Sequence, residues 1–191
     1  AQCYAKPKWR ACGDVDFLLS IDNYNKAKVF LSPLATSIDE EDIRKKHQGM
    51  TIDPWLVELH GALPFSISER VDKVINDVYN DVFSNKNVRL WMNGNTEVFL
   101  PAPNNDVIFI FTHFLHHFFI EGVGLRQICD WCRLLWTYKE SIDYILLERR
   151  LREAGLVSEW RAFASLAVNH LGMPEDAMPL YKGSSSYKAK A

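Results

Sequence analysis

Residues 9–20 read WRACGDVDFLLS, and this stretch decides the fold. Gly13 is followed by Asp14, one apolar residue, Asp16 and an apolar run, which predicts a β-strand. Because side chains alternate along a strand, Asp14 and Asp16 point to one face and Val15 to the other. Two like charges this close repel each other, so the pair is stable only when it is well solvated or shares a cation.

A second strand is predicted from PWLVELHGAL, residues 54–63. Glu58 lies among apolar neighbours, where an unpaired carboxylate would be costly to bury. If the two strands lie side by side, Glu58 joins Asp14 and Asp16 on one face. Three carboxylates suit Mg2+, and two ions there would hold a nucleoside triphosphate and neutralise departing pyrophosphate. In the competing interpretation, the two aspartates are simply exposed to solvent at the start of a strand, because an Asp-x-Asp pattern is frequent by chance.

The composition is that of an ordinary globular protein: 191 residues, 48% hydrophobic and 24% charged. The net charge of -2 gives no general attraction to nucleic acid or to an anionic membrane. Four cysteines are too few and too unevenly spread for a secreted disulfide framework. No apolar run approaches the roughly 20 residues needed to cross a bilayer. We therefore expect a soluble, cytoplasmic protein with reduced cysteines.

Helical periodicity predicts several helices, and an Asn-Gly pair predicts a hairpin. The first helix follows Ser20, with Asp22 or Asn23 as its cap, and a polar loop covers residues 37–50. A second helix begins after Ser66 or Ser68. Residues 87–101 read NVRLWMNGNTEVFLP, typical of a hairpin with a primed turn. Beyond Pro103 the chain is aromatic and helical, broken near Gly122 and Gly124, with two further helices.

These elements predict an α+β fold, in which a small mixed sheet with flanking helices is followed by a C-terminal helical bundle. We expect an α/β core over residues 1–101 and a helical, substrate-side domain over residues 102–191. The α/β core offers carboxylates but few other groups to recognise an acceptor, so the acceptor pocket is expected from the helical half. The six tryptophans are expected in the core or at interfaces rather than as base-stacking platforms.

The blocks RACGDVDFLL (residues 10–19) and VELH (residues 57–60) resemble the metal-binding core of the nucleotidyltransferase superfamily that includes DNA polymerase β. More narrowly, the chain resembles the bacterial "uncharacterised nucleotidyltransferase" family. The opening AQCYAKPKWR and the later blocks LPAP and HFLHHFFIEGVGLRQICDW are also similar to that family. The resemblance runs from residue 1 to about residue 190, and the ordered set of blocks carries it more than the two aspartates do.

The resemblance implies transfer of a nucleoside monophosphate from a nucleoside triphosphate to an unidentified acceptor hydroxyl, with pyrophosphate release. Asp14, Asp16 and Glu58 would be the catalytic and metal-binding residues, holding two Mg2+ ions, or Mn2+. The superfamily also has a glycine-containing phosphate-binding turn upstream of the aspartates. The sequence begins at Ala1 without that turn, so we expect this chain to be a fragment. The alternative is a non-catalytic nucleotide- or partner-binding module that keeps the fold.

Further candidates for nucleotide or substrate binding lie around these blocks. His60 shares a strand face with Glu58 and either orients that carboxylate, contacts phosphate, or is a plain hydrogen-bonded strand histidine. Arg10 and Gly13 flank the aspartates, where Arg10 can steady carboxylates or phosphates. In the helical half the candidates are His117, Arg126 and Asp130.

Arg126 and Asp130 lie four apart on one helical face, and their competing interpretation is an ordinary salt bridge. The motif H-x-x-H…C-x-x-C is also typical of a zinc site. We disfavour zinc because the segment is strongly apolar and its cysteines can pack as small hydrophobic side chains. Its members are His113, His116, His117, Cys129 and Cys132.

Overall fold

The computed structural model describes residues 2–11, 13–62, 67–120, 122 and 124–183. The chain forms two compact units, residues 8–64 and residues 1–7 together with 65–191. We call them the sheet unit and the helical unit. Compactness does not test which segments fold on their own, so the domain boundary expected near residue 101 stays a prediction.

The sheet unit is a four-stranded mixed sheet with one long helix. Its strands β1 to β4 occur in the spatial order β1-β4-β3-β2, with β1 parallel to β4 and the other pairs antiparallel. The helix α1 follows β1 and is continued by a short 3-10 turn, Ser32–Leu34, that contains Pro33. The elements are β1 (Asp14–Leu18), α1 (Ile21–Leu31), β2 (Ser37–Ile38), β3 (His47–Ile52) and β4 (Trp55–His60).

A small apolar core lies on one face of this sheet. Tyr24 of α1 is fully buried with Met50, Val57 and Leu59 of the sheet. Val57 and Leu59 alternate with the polar residues of β4, so this core leaves the other face of the strand for Glu58. The Tyr24 hydroxyl donates a 2.8 Å hydrogen bond to Glu41 Oε1, which also places that carboxylate beside α1.

Two details of the sheet unit differ from the sequence-based expectations. The cap of α1 is Ser20, not Asp22 or Asn23, because the extended backbone of Ser20 lets its hydroxyl accept from Asn23 N. Residues 37–50 are not a single polar loop, since they contain β2 and the start of β3. These polar segments become strands because β3 pairs with β4 across a two-residue turn and β2 pairs with β3, and the charged composition of the segment masked this pairing.

The described part of the helical unit contains a hairpin and five helices. The predicted apolar stripe of α2 is confirmed, because Val71, Val74, Ile75, Val78 and Val82 are all buried, and Ser68 is its cap. The elements are α2 (Glu69–Phe83), β5 (Val88–Asn93), β6 (Thr96–Pro101), α3 (Pro103–Ile120), α4 (Leu125–Tyr138), α5 (Tyr144–Ala154) and α6 (Val157–Leu171). The predicted hairpin is confirmed, with Gly94 at φ 63° in its two-residue turn.

Aromatic side chains form the centre of the helical unit. The ring centroids of Trp131 and Trp160 are 4.8 Å apart, and Phe111 lies 4.8 Å from Trp160. Both tryptophans are fully buried, as expected for core residues, whereas Trp9 is 78% exposed and Trp55 is 49% exposed. Together with the four-stranded sheet, this helical region confirms the predicted α+β class. In the described residues no helix is long and apolar enough to cross a bilayer.

Candidate metal and nucleotide site on the β1–β4 face

The carboxylates singled out in the sequence lie on two neighbouring strands. β1 and β4 are parallel, with Asp14 opposite Leu56 and Asp16 opposite Glu58. Residues paired in register point to the same face of a sheet, so Asp14, Asp16 and Glu58 share one face. The three residues therefore share a strand face, whereas among the described residues the donor atoms that lie within 4.8 Å of one another belong to His47, Glu58 and His60. A common metal site of Asp14, Asp16 and Glu58 and their role in catalysis stay predictions.

Two histidines contact these carboxylates. His60 Nε2 lies 2.9 Å from Asp16 Oδ1 and 3.6 Å from Glu58 Oε2. On the other side of Glu58, His47 Nε2 lies 3.2 Å from the same Oε2. The two imidazole rings are 4.8 Å apart between centroids. Asp16 and Glu58 are therefore linked through His60, and Glu58 lies against both histidines.

This cluster is partly open to solvent. The exposed side-chain fractions are 38% for Asp16, 26% for Glu58, 21% for His60 and 35% for His47. A ligand can therefore reach the carboxylate oxygens, while the strands below them fix where the oxygens lie. Carboxylates and imidazoles of this kind can coordinate a divalent cation or exchange a proton with a bound hydroxyl.

Sequence reasoning missed His47. It lies in β3, directly opposite His60 in the antiparallel register, and the surrounding charged residues had indicated a loop. The available signal was the alternation of residues 47–52, HQGMTI, in which Met50 and Ile52 fall two apart just before an Asp-Pro turn. That alternation would have placed His47 on the opposite face from Met50, because the two residues are three apart.

Asp39 also lies near this face and was not predicted. Gly49 pairs with Glu58 in register, and a Cβ built on Gly49 would lie only 2.4 Å from Asp39 Oδ2. Any larger residue at position 49 would force the Asp39 side chain to move. Glycine thus leaves room for another carboxylate beside Glu58.

Arg10 and Gly13 lie just before β1. The Arg10 guanidinium donates a hydrogen bond to the carbonyl oxygen of the next residue, Ala11. Gly13 is exposed, and a Cβ there would meet nothing within 4 Å. Packing therefore does not require glycine at position 13. The predicted binding roles of Arg10 and Gly13 stay predictions.

His117, Arg126 and Asp130 belong to the helical unit. Arg126 is exposed in the first turn of α4, and among the described residues it forms no ion pair with Asp130. Asp130 instead accepts a 2.7 Å hydrogen bond from the Tyr4 hydroxyl. Tyr4 is thus one partner of the Asp130 carboxylate, and the Arg126 side chain is exposed. Whether these residues bind substrate stays a prediction.

The histidine and cysteine side chains considered for a zinc site do not form a metal-binding group among the described residues. The described part of the chain contains one group of three or more histidine, cysteine or carboxylate side chains that lie close enough to hold a metal. Its members are His47, Glu58 and His60. His117 Nε2 approaches His113 Nε2 at 3.3 Å, without a cysteine joining them. Burial raises the pKa of the Cys132 thiol to about 12, and zinc binds the thiolate rather than the thiol.

The family assignment agrees with the fold and with this face of the sheet. A family model described as "Uncharacterised nucleotidyltransferase" matches residues 1–172. The chain therefore belongs to this family, as its sequence blocks suggested. Nucleotidyl transfer, a nucleotide substrate and the use of divalent metal ions are general properties of such enzymes. No curated protein and no solved structure matches the chain.

Proposed function

We propose that this protein transfers a nucleoside monophosphate from a nucleoside triphosphate to an acceptor hydroxyl and releases pyrophosphate. The observation that carries the proposal is the register of β1 and β4, which places Asp14, Asp16 and Glu58 on one partly exposed face. Family membership over residues 1–172 supports the same reaction class.

The residues on this face fit a site for divalent cations. Asp16 and Glu58 both approach His60 Nε2, at 2.9 and 3.6 Å, so their oxygens converge. Carboxylate oxygens are the ligands that Mg2+ and Mn2+ prefer. Asp14, Asp16 and Glu58 would hold two such ions, which, when bound, neutralise the charge that develops on the triphosphate.

The chain's own groups then position the reactants and handle one proton. The acceptor oxygen attacks the α-phosphorus, and the bond from that phosphorus to the α–β bridging oxygen breaks, so that pyrophosphate leaves. Glu58 would align the acceptor hydroxyl and accept its proton. His60 holds the Asp16 carboxylate in place by their 2.9 Å contact.

Other residues would bind the nucleotide and the acceptor. Arg10 and Gly13 precede the carboxylates, and an open approach at Gly13 suits a close contact with phosphate. His117, Arg126 and Asp130 stay candidates for substrate binding, and the exposed guanidinium of Arg126 suits an anionic group. We infer a cytoplasmic location from the free cysteines Cys3, Cys129 and Cys132 among the described residues.

Pyrophosphate release by the full-length protein tests this proposal. Each of the four ribonucleoside triphosphates is supplied with Mg2+, and nucleotide binding is measured in parallel. Glu58→Gln should reduce release at least about 100-fold, because it removes both a cation ligand and a proton acceptor. Asp53→Asn is the matched control. Asp53 lies in the β3–β4 turn with φ 52°, a conformation that asparagine also tolerates.

Two results would separate the enzyme from the non-catalytic alternative. Nucleotide binding without pyrophosphate release under any acceptor condition would support a binding module. Release that is unchanged in Glu58→Gln would show that another site performs the reaction.

A further inference from the structure

The same sheet face carries a second set of donor atoms, which shares Glu58 with the carboxylate site and adds two histidines. His47, Glu58 and His60 each offer one ligand atom, and these atoms lie within 4.8 Å of one another. We propose that this triad binds a divalent transition metal ion of the Zn2+ and Co2+ class in preference to Mg2+. The proposal rests on the proposed function for the location of the site, but its test is read without turnover.

The distances match those between ligands that share one ion. Zinc ligands of the nitrogen and oxygen type lie about 2.0–2.2 Å from the metal, so two of them are about 3.0 Å apart at a right angle and about 3.4 Å apart at a tetrahedral angle. The observed separations from Glu58 Oε2 are 3.2 Å to His47 Nε2 and 3.6 Å to His60 Nε2. Asp16 Oδ1 contacts His60 Nε2 at 2.9 Å but does not belong to the group whose donor atoms all lie within 4.8 Å of one another.

Backbone pairing brings the donors together before any metal arrives. His47 and His60 are directly opposite in the antiparallel β3–β4 ladder, and Glu58 is two residues before His60 on the same strand face. Their Cα atoms are therefore fixed by the sheet. Only side-chain torsions need to adjust when an ion binds, so the loss of conformational entropy that opposes binding is small.

The donor types indicate which metal is bound. Imidazole nitrogens suit Zn2+, Co2+ and similar ions, whereas Mg2+ strongly prefers oxygen ligands and retains its water. Two imidazoles with one or two carboxylates therefore select a transition metal. Glu58 belongs to both donor sets, so an ion held by the histidines would fix the carboxylate that the proposed transfer reaction uses.

Metal titration of the full chain, prepared without a polyhistidine tag, tests the proposal. Co2+ is added while its visible absorption is followed, and Zn2+ and Mg2+ are then used to displace it. We expect one bound Co2+, displaced by Zn2+ at concentrations at least about 100-fold lower than by Mg2+. His47→Ala should weaken binding at least about 10-fold, since even groups that only orient a ligand contribute that much.

Two controls address the other histidines. His170→Ala removes an exposed histidine of α6 and should leave the affinity unchanged. His113→Ala removes the pair in which His113 and His117 nitrogens lie 3.3 Å apart, and it should also leave tight binding intact. Loss of binding in His113→Ala, with none in His47→Ala, would overturn the proposal.

A measurement on the unaltered protein avoids the risk that a variant misfolds. Nitrogen NMR of labelled histidines should show Zn2+-induced shifts at the Nε2 atoms of His47 and His60. No shift there, or Mg2+ binding as tight as Zn2+, would overturn the inference. Pyrophosphate release that needs Glu58, together with no Co2+ or Zn2+ binding that depends on His47, would refute this inference while leaving the proposed function intact. Tight Zn2+ binding without any pyrophosphate release would support this inference and contradict the proposed function.

Discussion

Replacing Asp16 by asparagine should separate folding from function. The Asp16 side chain is 38% exposed, and its partner His60 is 21% exposed at a distance of 2.9 Å. An ion pair this open to solvent contributes about 0–1 kcal/mol. Asparagine keeps an acceptor oxygen for His60, and it removes a like charge from the position paired with Glu58. The two effects oppose each other.

The expected change in the free energy of unfolding is therefore within about 1 kcal/mol, which corresponds to a Tm shift of no more than about 4 °C for a chain of this size. Pyrophosphate release should fall at least about 100-fold, or about 2.7 kcal/mol in the activation barrier, because a cation ligand is lost. Both quantities are measured on the full-length protein by thermal unfolding and by a coupled pyrophosphate assay.

Asp53→Asn provides the matched control for this substitution, since it changes the same atoms in the turn between β3 and β4. It should keep both Tm and activity. The reasoning fails if Asp16→Asn keeps more than about a tenth of the activity, or if its Tm falls by more than about 10 °C. The second outcome would make Asp16 a structural residue.

Two further predictions concern residues outside the carboxylate face. The hydrogen bond from Lys28, with a second from Tyr24, holds the pKa of Glu41 below its ordinary value of 4.5. Ionised Glu41 therefore stabilises the fold above pH 4.5, and this contribution is lost as the pH falls through the lowered pKa. Glu41→Gln should accordingly be less stable than wild type in urea at pH 7, with the difference shrinking towards zero below about pH 4; a constant difference would contradict this linkage. Arg126→Ala should raise the KM for nucleotide or acceptor about 10-fold and leave Tm unchanged, because Arg126 is exposed. The control is Arg149→Ala, which replaces an exposed arginine of α5 and should change neither KM nor Tm. Equal effects of the two substitutions would refute a binding role for Arg126.

The elements that the sequence predicted well are those whose pattern is local. The stripe of valines and isoleucine in α2 repeats at helical spacing, and the whole stripe is buried. The hairpin depends on its flanking alternation and on two turn residues, which are Gly94 and Asn95 because Asn93 ends β5. The breaks at Gly122 and Gly124 likewise fall between α3 and α4. Each of these signals is complete within about 15 residues of chain.

The features that the sequence did not reveal depend on strand pairing within a polar segment. β2 and β3 lie in a run of charged residues, and they become strands because β4 offers β3 an edge to pair with. His47 joins the candidate site only through that pairing. The predicted meeting of Asp16 and Glu58 succeeded because two strands were recognisable and their alternation fixed which residues share a face.

The fate of the α-phosphate tests the central claim most directly. The full-length protein is given nucleoside triphosphates labelled separately at the α- and γ-phosphorus, with Mg2+ and a mixture of hydroxyl-bearing acceptors. If Asp14, Asp16 and Glu58 support nucleotidyl transfer, the α-label appears covalently on an acceptor while the γ-label leaves in pyrophosphate. Transfer of the γ-label to an acceptor, or its release as orthophosphate with the α-label left on a nucleoside diphosphate, would contradict the account.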